Sequence, residues 1–353
     1  MTVAAGWLSA CHTDCDHMFC LNLGHNMPMR TIALEEHFTT SEFLEATGQV
    51  HAVKNARTQE VARRLLDVGA GRIADMDAGK IDMQVMSLSS TGLGKLAPAT
   101  AVSLVHAAND ELAAAVSAHP DRFAAFATLA LQEPEKAVLE FERCIRSLKF
   151  KGLIVMGTVN GLFLDHPRFT PIFATAQALD VPIYVHPGLP PQPVRDAYYS
   201  GLPGNIGFGL STAGWGWHAE TGLHCLRLIL TGIFDLFPKL KILVGHMGDH
   251  LPFNIARAGR VLDEIAGENG PPPFKREVID YFRENFYVTT SGYFDIHPFL
   301  CALGVLGSDR VLFSVDYPHT SNIAGREFLN TLPVGSEDLE KISHGNAERL
   351  LKL

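Results

Sequence analysis

Short, continuously apolar runs alternate with longer amphipathic stretches over most of the chain. The apolar runs predict strands near Ile32–Leu34, Met83–Ser87, Phe123–Ala127, Gly152–Met156, Ile183–Val185, Ile242–Val244, Phe286–Thr289 and Val311–Val315. Where such a run is bounded by Gly or Pro, as at Val181–Val185, the pattern is that of a strand buried on both faces. Apolar residues at helical spacing predict helices over Gln59–Val68, Ala99–Ala118, Pro134–Leu148, Thr170–Leu179, Glu220–Phe237, Leu251–Ala266 and Ser336–Leu351. This alternation predicts an α/β fold, a (β/α)8 TIM-like barrel.

One connection is unusually long. More than 30 residues separate His186 from the helix expected near Glu220, and they include Pro187-Gly188-Leu189-Pro190-Pro191 and Gly214-Trp215-Gly216-Trp217. Long connections inside compact domains usually form lids or insertions. A lid after strand 5 is therefore expected.

The length of 353 residues suits one barrel with a short appendage. Residues 29–353 are expected to form the barrel, and residues 1–28 a poorly ordered extension or a product of where translation was assumed to begin. Cys11, Cys15 and Cys20 in that extension lack the paired C-x2-C spacing of zinc knuckles. Cys144, Cys225 and Cys301 lie in apolar helical patterns and read as free thiols of a cytoplasmic protein. A net charge of −9 without a Lys/Arg cluster argues against a nucleic-acid partner. No apolar stretch approaches the roughly 20 residues that span a bilayer.

Chemistry-bearing residues gather at the ends of the apolar runs. Ile32-Ala33-Leu34 leads into Glu35-Glu36-His37, Val185 into His186, Gly245 into His246-Met247-Gly248-Asp249, and Val315 into Asp316. In a parallel barrel these ends converge on one face. Glu35 and His37, two apart on an extended segment, point the same way, and Glu36 points oppositely, toward solvent or a helix. Two carboxylates and two imidazoles, with no Cys, suit one divalent ion, Zn or Mn. His246 is an imidazole placed to handle a proton near neutral pH.

These phrases, with Thr289-Thr290-Ser291-Gly292, Phe313-Ser314-Val315-Asp316-Tyr317-Pro318 and the closing Asn346-Ala347-Glu348-Arg349-Leu350-Leu351, give the chain a specific resemblance. From about Met29 onward it resembles the amidohydrolase superfamily. Within that superfamily it is most like the metal-dependent decarboxylases of γ-resorcylate and 5-carboxyvanillate, with aminocarboxymuconate semialdehyde decarboxylase more distant. The resemblance implies Glu35, His37, His186 and Asp316 as metal ligands and no organic cofactor. It also implies His246, Asp316 and Asp249 as catalytic residues, with Asp249, a Glu in many relatives, orienting His246. Arg257 and Phe38 would bind a small aromatic carboxylic acid, Arg257 in some relatives reaching a neighbouring subunit of a homodimer or homotetramer; in the lid, Trp217 with Trp215 would close over the aromatic substrate or simply pack the lid. His218 and His319 are extra imidazoles expected in supporting positions.

His37 aligns the chain with the γ-resorcylate branch, since the salicylate and 2,3-dihydroxybenzoate relatives carry Ala there. Met156–Asp165 and His319-Thr320-Ser321-Asn322 depart from that branch, so substrate identity does not carry over. The resemblance implies reversible, non-oxidative decarboxylation of a hydroxybenzoate-like acid. The alternative on the same scaffold is metal-dependent hydrolysis of a lactone or amide.

Overall fold

The computed structural model describes residues 29–52, 55–268 and 271–353. The expected extension 1–28 and its cysteines lie outside the described residues. Among the described residues eight strands appear where the apolar runs predict them: β1 (Ile32–Phe38), β2 (Met83–Leu88), β3 (Phe123–Ala125), β4 (Leu153–Met156), β5 (Ile183–His186), β6 (Ile242–Val244), β7 (Phe286–Thr289) and β8 (Val311–Leu312). All pair in parallel and in chain order, β1 to β3 in one sheet and β4 to β8 in another. A bridge between Ala127 and Leu153 joins β3 to β4. The backbone N–H of His37 donates to the Tyr317 carbonyl at 2.7 Å, joining β1 to the segment after β8.

Strand side chains divide by parity between two cores. Ile32, Leu34, Val85, Phe126, Ile154, Tyr184, Leu243 and Leu312 pack with one another, with Ala347, Leu350 and Leu351 of the last helix beside them. Their neighbours Met86, Ala125, Val155, Val185, Val244, Val288 and Phe313 pack against the surrounding helices. This two-faced burial is why the strands read as unbroken apolar runs.

The helices Thr170–Leu179 and Leu251–Ala266 match the sequence pattern. The stretch 336–351 is helical but passes through a π-helical turn at Lys341–Gly345. The long connection after β5 is not a bare loop. It contains the short helices Gln192–Tyr198 and Ile206–Ser211, and the following helix opens at Gly216 rather than near Glu220. That helix stops at Leu230, and Gly232, at φ 74, separates it from Ile233–Leu236.

Candidate metal and proton-transfer site

β1 carries a bulge that sets up the site. Its pairing with β2 steps from Ala33↔Gln84 to Glu36↔Met86, which inserts one extra residue on β1. After the bulge Glu35 and His37 join the ligand cluster while Phe38 packs into the helix-side core. Phe38 is fully buried, so the expectation that it touches substrate is corrected: strand alternation turns it away from the site.

Glu36 also departs from expectation. It is fully buried and makes no solvent contact. Its carboxylate accepts from Ser314 Oγ at 3.0 Å, Val315 N at 2.9 Å, Tyr317 N at 3.1 Å and Gln84 Nε2 at 3.3 Å. Burial raises its carboxyl, and despite these donors the value settles at about 7. Arg72, buried beside it, donates to the His37 carbonyl at 2.5 Å and lies over the Tyr317 ring at 4.7 Å. Together they brace the backbone on either side of the first and last strand ends.

Glu35, His37, His186 and Asp316 come together with one ligand atom from each lying within 4.8 Å of the others. His186 Nε2 is 3.0 Å from Glu35 Oε1, and His37 Nε2 is 3.2 Å from Asp316 Oδ1. Asp316 sits in the left-handed region at φ 70, a conformation tolerated where surrounding contacts enforce it. His186 Nδ1 donates to the Pro187 carbonyl at 2.8 Å, which leaves Nε2 as the free lone pair facing the cluster. Glu35 Oε1 is buried with no hydrogen-bond partner among the described residues. An orphaned carboxylate oxygen among imidazole nitrogens fits a divalent cation.

The other Glu35 oxygen is held by the Tyr184 hydroxyl, which also contacts Thr289 Oγ1 at 2.8 Å and Ser291 Oγ at 3.4 Å. Tyr184 was not singled out from the sequence, and its position on β5 between apolar residues offers no cue. Burial opposes the charge on Glu35, but His246, His186 and His37 outweigh it and hold the carboxyl well below the usual range.

His246 opens five successive residues at positive φ, His246 to His250. This tight turn drops Asp249 back beside His246. His246 Nε2 lies 3.8 Å from Glu35 Oε1 and 4.0 Å from Asp316 Oδ2. Asp249 Oδ1 is 3.4 Å from His246 Nδ1 and only 2.6 Å from His218 Nδ1. Burial would lower the His246 imidazole, yet Glu35, Asp249 and Asp316 together push it up to about 10. A dication among those carboxylates would oppose that proton. Tyr293, also not singled out, packs edge-on against His218 and His246 at 5.2 and 5.7 Å.

Trp217 is half-buried at the start of the helix Gly216–Leu230, with its indole Nε1 enclosed and lacking an acceptor among the described residues. Trp215 is exposed and packs on His250 at 4.6 Å. His319 is exposed, with its ring 5.7 Å from that of His37. Arg257 is exposed on the helix Leu251–Ala266, and nothing within the described chain links it to the ligand cluster. Beside His186 a cavity of about 340 Å³ opens between Gln132, Met156, Gly157 and Gly188. None of the four ligands lines it, so the ligand cluster and not the cavity marks the chemistry.

Parallel strands in chain order whose ends deliver Glu, His, His and Asp to one cluster define a metal-site α/β protein. The chain belongs to the amidohydrolase family, whose model matches residues 37–353. It is 38% identical over 331 residues to the gamma-resorcylate decarboxylase of Polaromonas sp. strain JS666, covering 91% of this chain and 98% of that one. The crystal structure of 2,6-dihydroxybenzoate decarboxylase complexed with 2,6-dihydroxybenzoate superposes with a TM-score of 0.84 at 36% identity, covering 92% and 100%. The 5-carboxyvanillate decarboxylase of Novosphingobium aromaticivorans, solved with manganese and 4-hydroxy-3-methoxy-5-nitrobenzoic acid, superposes with a TM-score of 0.85 at 33% identity, covering 92% and 96%. Among the described residues no helix is long and apolar enough to cross a membrane.

Proposed function

We propose that this chain is a metal-dependent, non-oxidative decarboxylase of an ortho-hydroxybenzoate-like acid. The observation that carries the reading is an imidazole, His246, about 4 Å from the carboxylates of a four-residue ligand cluster whose buried Glu35 oxygen is unpaired. The named relatives' reaction supports it. Glu35, His37, His186 and Asp316 would hold one divalent ion, manganese or zinc. Bound there, the ion would supply positive charge to stabilise a phenolate as the ring accepts a proton.

The chain's own residues do the rest. Asp316, or a residue relayed by His246, delivers a proton to the ring carbon that bears the carboxylate. The bond to the carboxylate then breaks, its electron pair restores aromaticity, and CO2 leaves. No oxidant or organic cofactor enters that balance. The helices Gln192–Tyr198 and Ile206–Ser211 form the lid, and Trp217 offers its unpaired indole N–H beneath it. The Ala127–Leu153 and His37–Tyr317 links support a closed (β/α)8 barrel spanning residues 29–353. The free thiols of Cys144, Cys225 and Cys301 support a cytoplasmic setting.

Arg257 serves the site from a second subunit. Phe253, one helical turn before it on the same face, is 82% exposed, the kind of apolar surface a homo-oligomer covers. The test of function is incubation of purified protein with a panel of hydroxybenzoates and lactones, with and without chelator. CO2 release from a hydroxybenzoate that chelator abolishes is expected. Brisk lactone hydrolysis with no CO2 from any hydroxybenzoate would establish the hydrolase instead.

A further inference from the structure

Three buried side chains form a chain that the reaction above uses only in part. His218, Asp249 and His246 are 2%, 0% and 8% exposed. His218 Nε2 lies 3.0 Å from the Ala213 carbonyl oxygen. Its Nδ1 meets Asp249 Oδ1 at 2.6 Å. That same oxygen is 3.4 Å from His246 Nδ1, which among the described residues has no hydrogen-bond partner, as Asp249 Oδ2 has none. Asp249 therefore stands between two imidazoles, tightly held by one and loosely by the other.

The backbone makes this reach possible. Gly222 lies one turn beyond His218 on the same helix, and a Cβ there would come within 2.8 Å of the Asp249 carbonyl. The helix Gly216–Leu230 thus lies hard against the Asp249 turn, which brings the His218 ring onto a short carboxylate. Asp249 leaves the chain at φ 47, inside the run of left-handed residues, so its backbone is committed and only χ rotation remains free.

We infer that His218 is a positioning residue for proton transfer: it fixes the short carboxylate of Asp249 so that Asp249 orients His246. The inference rests on the decarboxylase reading for its kinetic consequence but not for its geometry. It implies a compensation. A carboxylate one methylene longer reaches His246 without the His218 anchor, and removal of the imidazole opens the space that the extra methylene needs. A merely structural His218 has no such partner substitution.

The test compares His218→Ala, Asp249→Glu, the double variant and His218→Asn in metal-loaded enzyme, with 2,6-dihydroxybenzoate as first probe and whichever hydroxybenzoate the wild type turns over. His218→Ala should lower kcat by about tenfold or more with KM moved less than about threefold. The double variant should recover at least about threefold over His218→Ala. His218→Asn, which keeps a donor near the Nδ1 position, should recover part of the loss. Crystal structures supply a readout that needs no turnover. In His218→Ala the Asp249 carboxylate should swing away from His246, and in the double variant the longer carboxylate should contact His246 Nδ1. A wild type that decarboxylates nothing, with these geometries observed, would refute the reaction and leave the positioning role standing. Turnover within about twofold of wild type in His218→Ala, a double variant no faster than His218→Ala, or an unmoved Asp249 carboxylate would overturn the inference. Should His218→Ala fail to fold, the same comparison is made between His218→Asn alone and with Asp249→Glu, where no gain in turnover overturns it.

Discussion

Glu36 ties the first strand to the last: its carboxylate accepts the backbone N–H groups of both Val315 and Tyr317, the residues that flank Asp316. One residue on β1 thus holds the backbone that presents the ligand contributed after β8. Glu36→Ala would leave two buried backbone donors and the Ser314 hydroxyl without their acceptor, and would remove one of the acidic groups around the buried Arg72 guanidinium. A loss of about 3 kcal/mol in unfolding free energy is expected, with weaker metal retention because Asp316 is no longer fixed. Chemical denaturation and metal analysis of the variant check both parts. Wild-type stability would show that the buried carboxylate is dispensable.

The ligand cluster predicts stoichiometry. Elemental analysis of the purified protein should find about one divalent ion per chain. His186→Ala and Asp316→Asn should each lose most of it, and dialysis against chelator should abolish activity that added manganese or zinc restores. Full activity in a metal-free preparation would remove the basis for the ligand assignment.

His246 sits near the ligand carboxylates without belonging to their cluster. His246→Asn should therefore keep the metal and the fold but reduce kcat by about 10² to 10⁴, with KM little changed, as for loss of a proton-transfer group. The same variant should fail to fix labelled CO2 into the phenolic product at high bicarbonate, a reaction the wild type should catalyse. Undiminished exchange in the variant would remove His246 from proton transfer.

Most of the strand framework was legible because two-sided burial writes each strand as an unbroken apolar run, and the clustering of Glu35, His37, His186 and Asp316 was legible because they sit where those runs end. The contacts that refine the site were not legible. The β1 bulge leaves no mark in Leu34-Glu35-Glu36, yet it decides which side chains face the cluster. Glu36 meets residues 278 to 281 positions away, and Tyr184 meets Glu35 across 149. Such pairings are fixed by closure of the fold and not by local spacing. The helix Ile296–Leu306 was legible only as the apolar helical pattern around Cys301, without bounds: it is apolar along nearly its whole length, so no polar face marks its period.

His224 makes a pH prediction away from the ligand cluster. It is buried, its Nε2 accepts from the Leu164 N–H at 2.9 Å, and burial pushes its value from 6.5 down to about 4. The unfolded chain takes up a proton below about pH 6.5, while the folded chain resists until about pH 4. Stability should thus be full above about pH 6.5 and decline as pH falls toward 4, by up to about 3 kcal/mol from this group. His224→Gln keeps an acceptor for Leu164 but does not titrate. Its unfolding free energy should fall less steeply than that of wild type over this window. Parallel pH profiles for the two proteins would assign the acid sensitivity elsewhere.

Phe253 and Arg257 are four residues apart on one helix, both exposed, and so share a face. A largely solvated phenyl ring beside an exposed guanidinium is expensive surface for a monomer and useful surface for an interface, where Phe and Arg are enriched. The protein should therefore run as a dimer or tetramer in light scattering at assay concentration. Under the proposed arrangement, Phe253→Asp should shift it toward monomer and lower kcat/KM, because the partner's guanidinium would leave the site. Arg257→Ala should preserve assembly but raise KM for the carboxylate substrate by about tenfold or more, the scale of one charge-assisted contact. Mixing the two variants separates the roles: if mixed oligomers form, those that pair an intact Arg257 with an intact site should regain activity. A monomer with full turnover would confine the site to one chain and leave Arg257 as an ordinary surface cation.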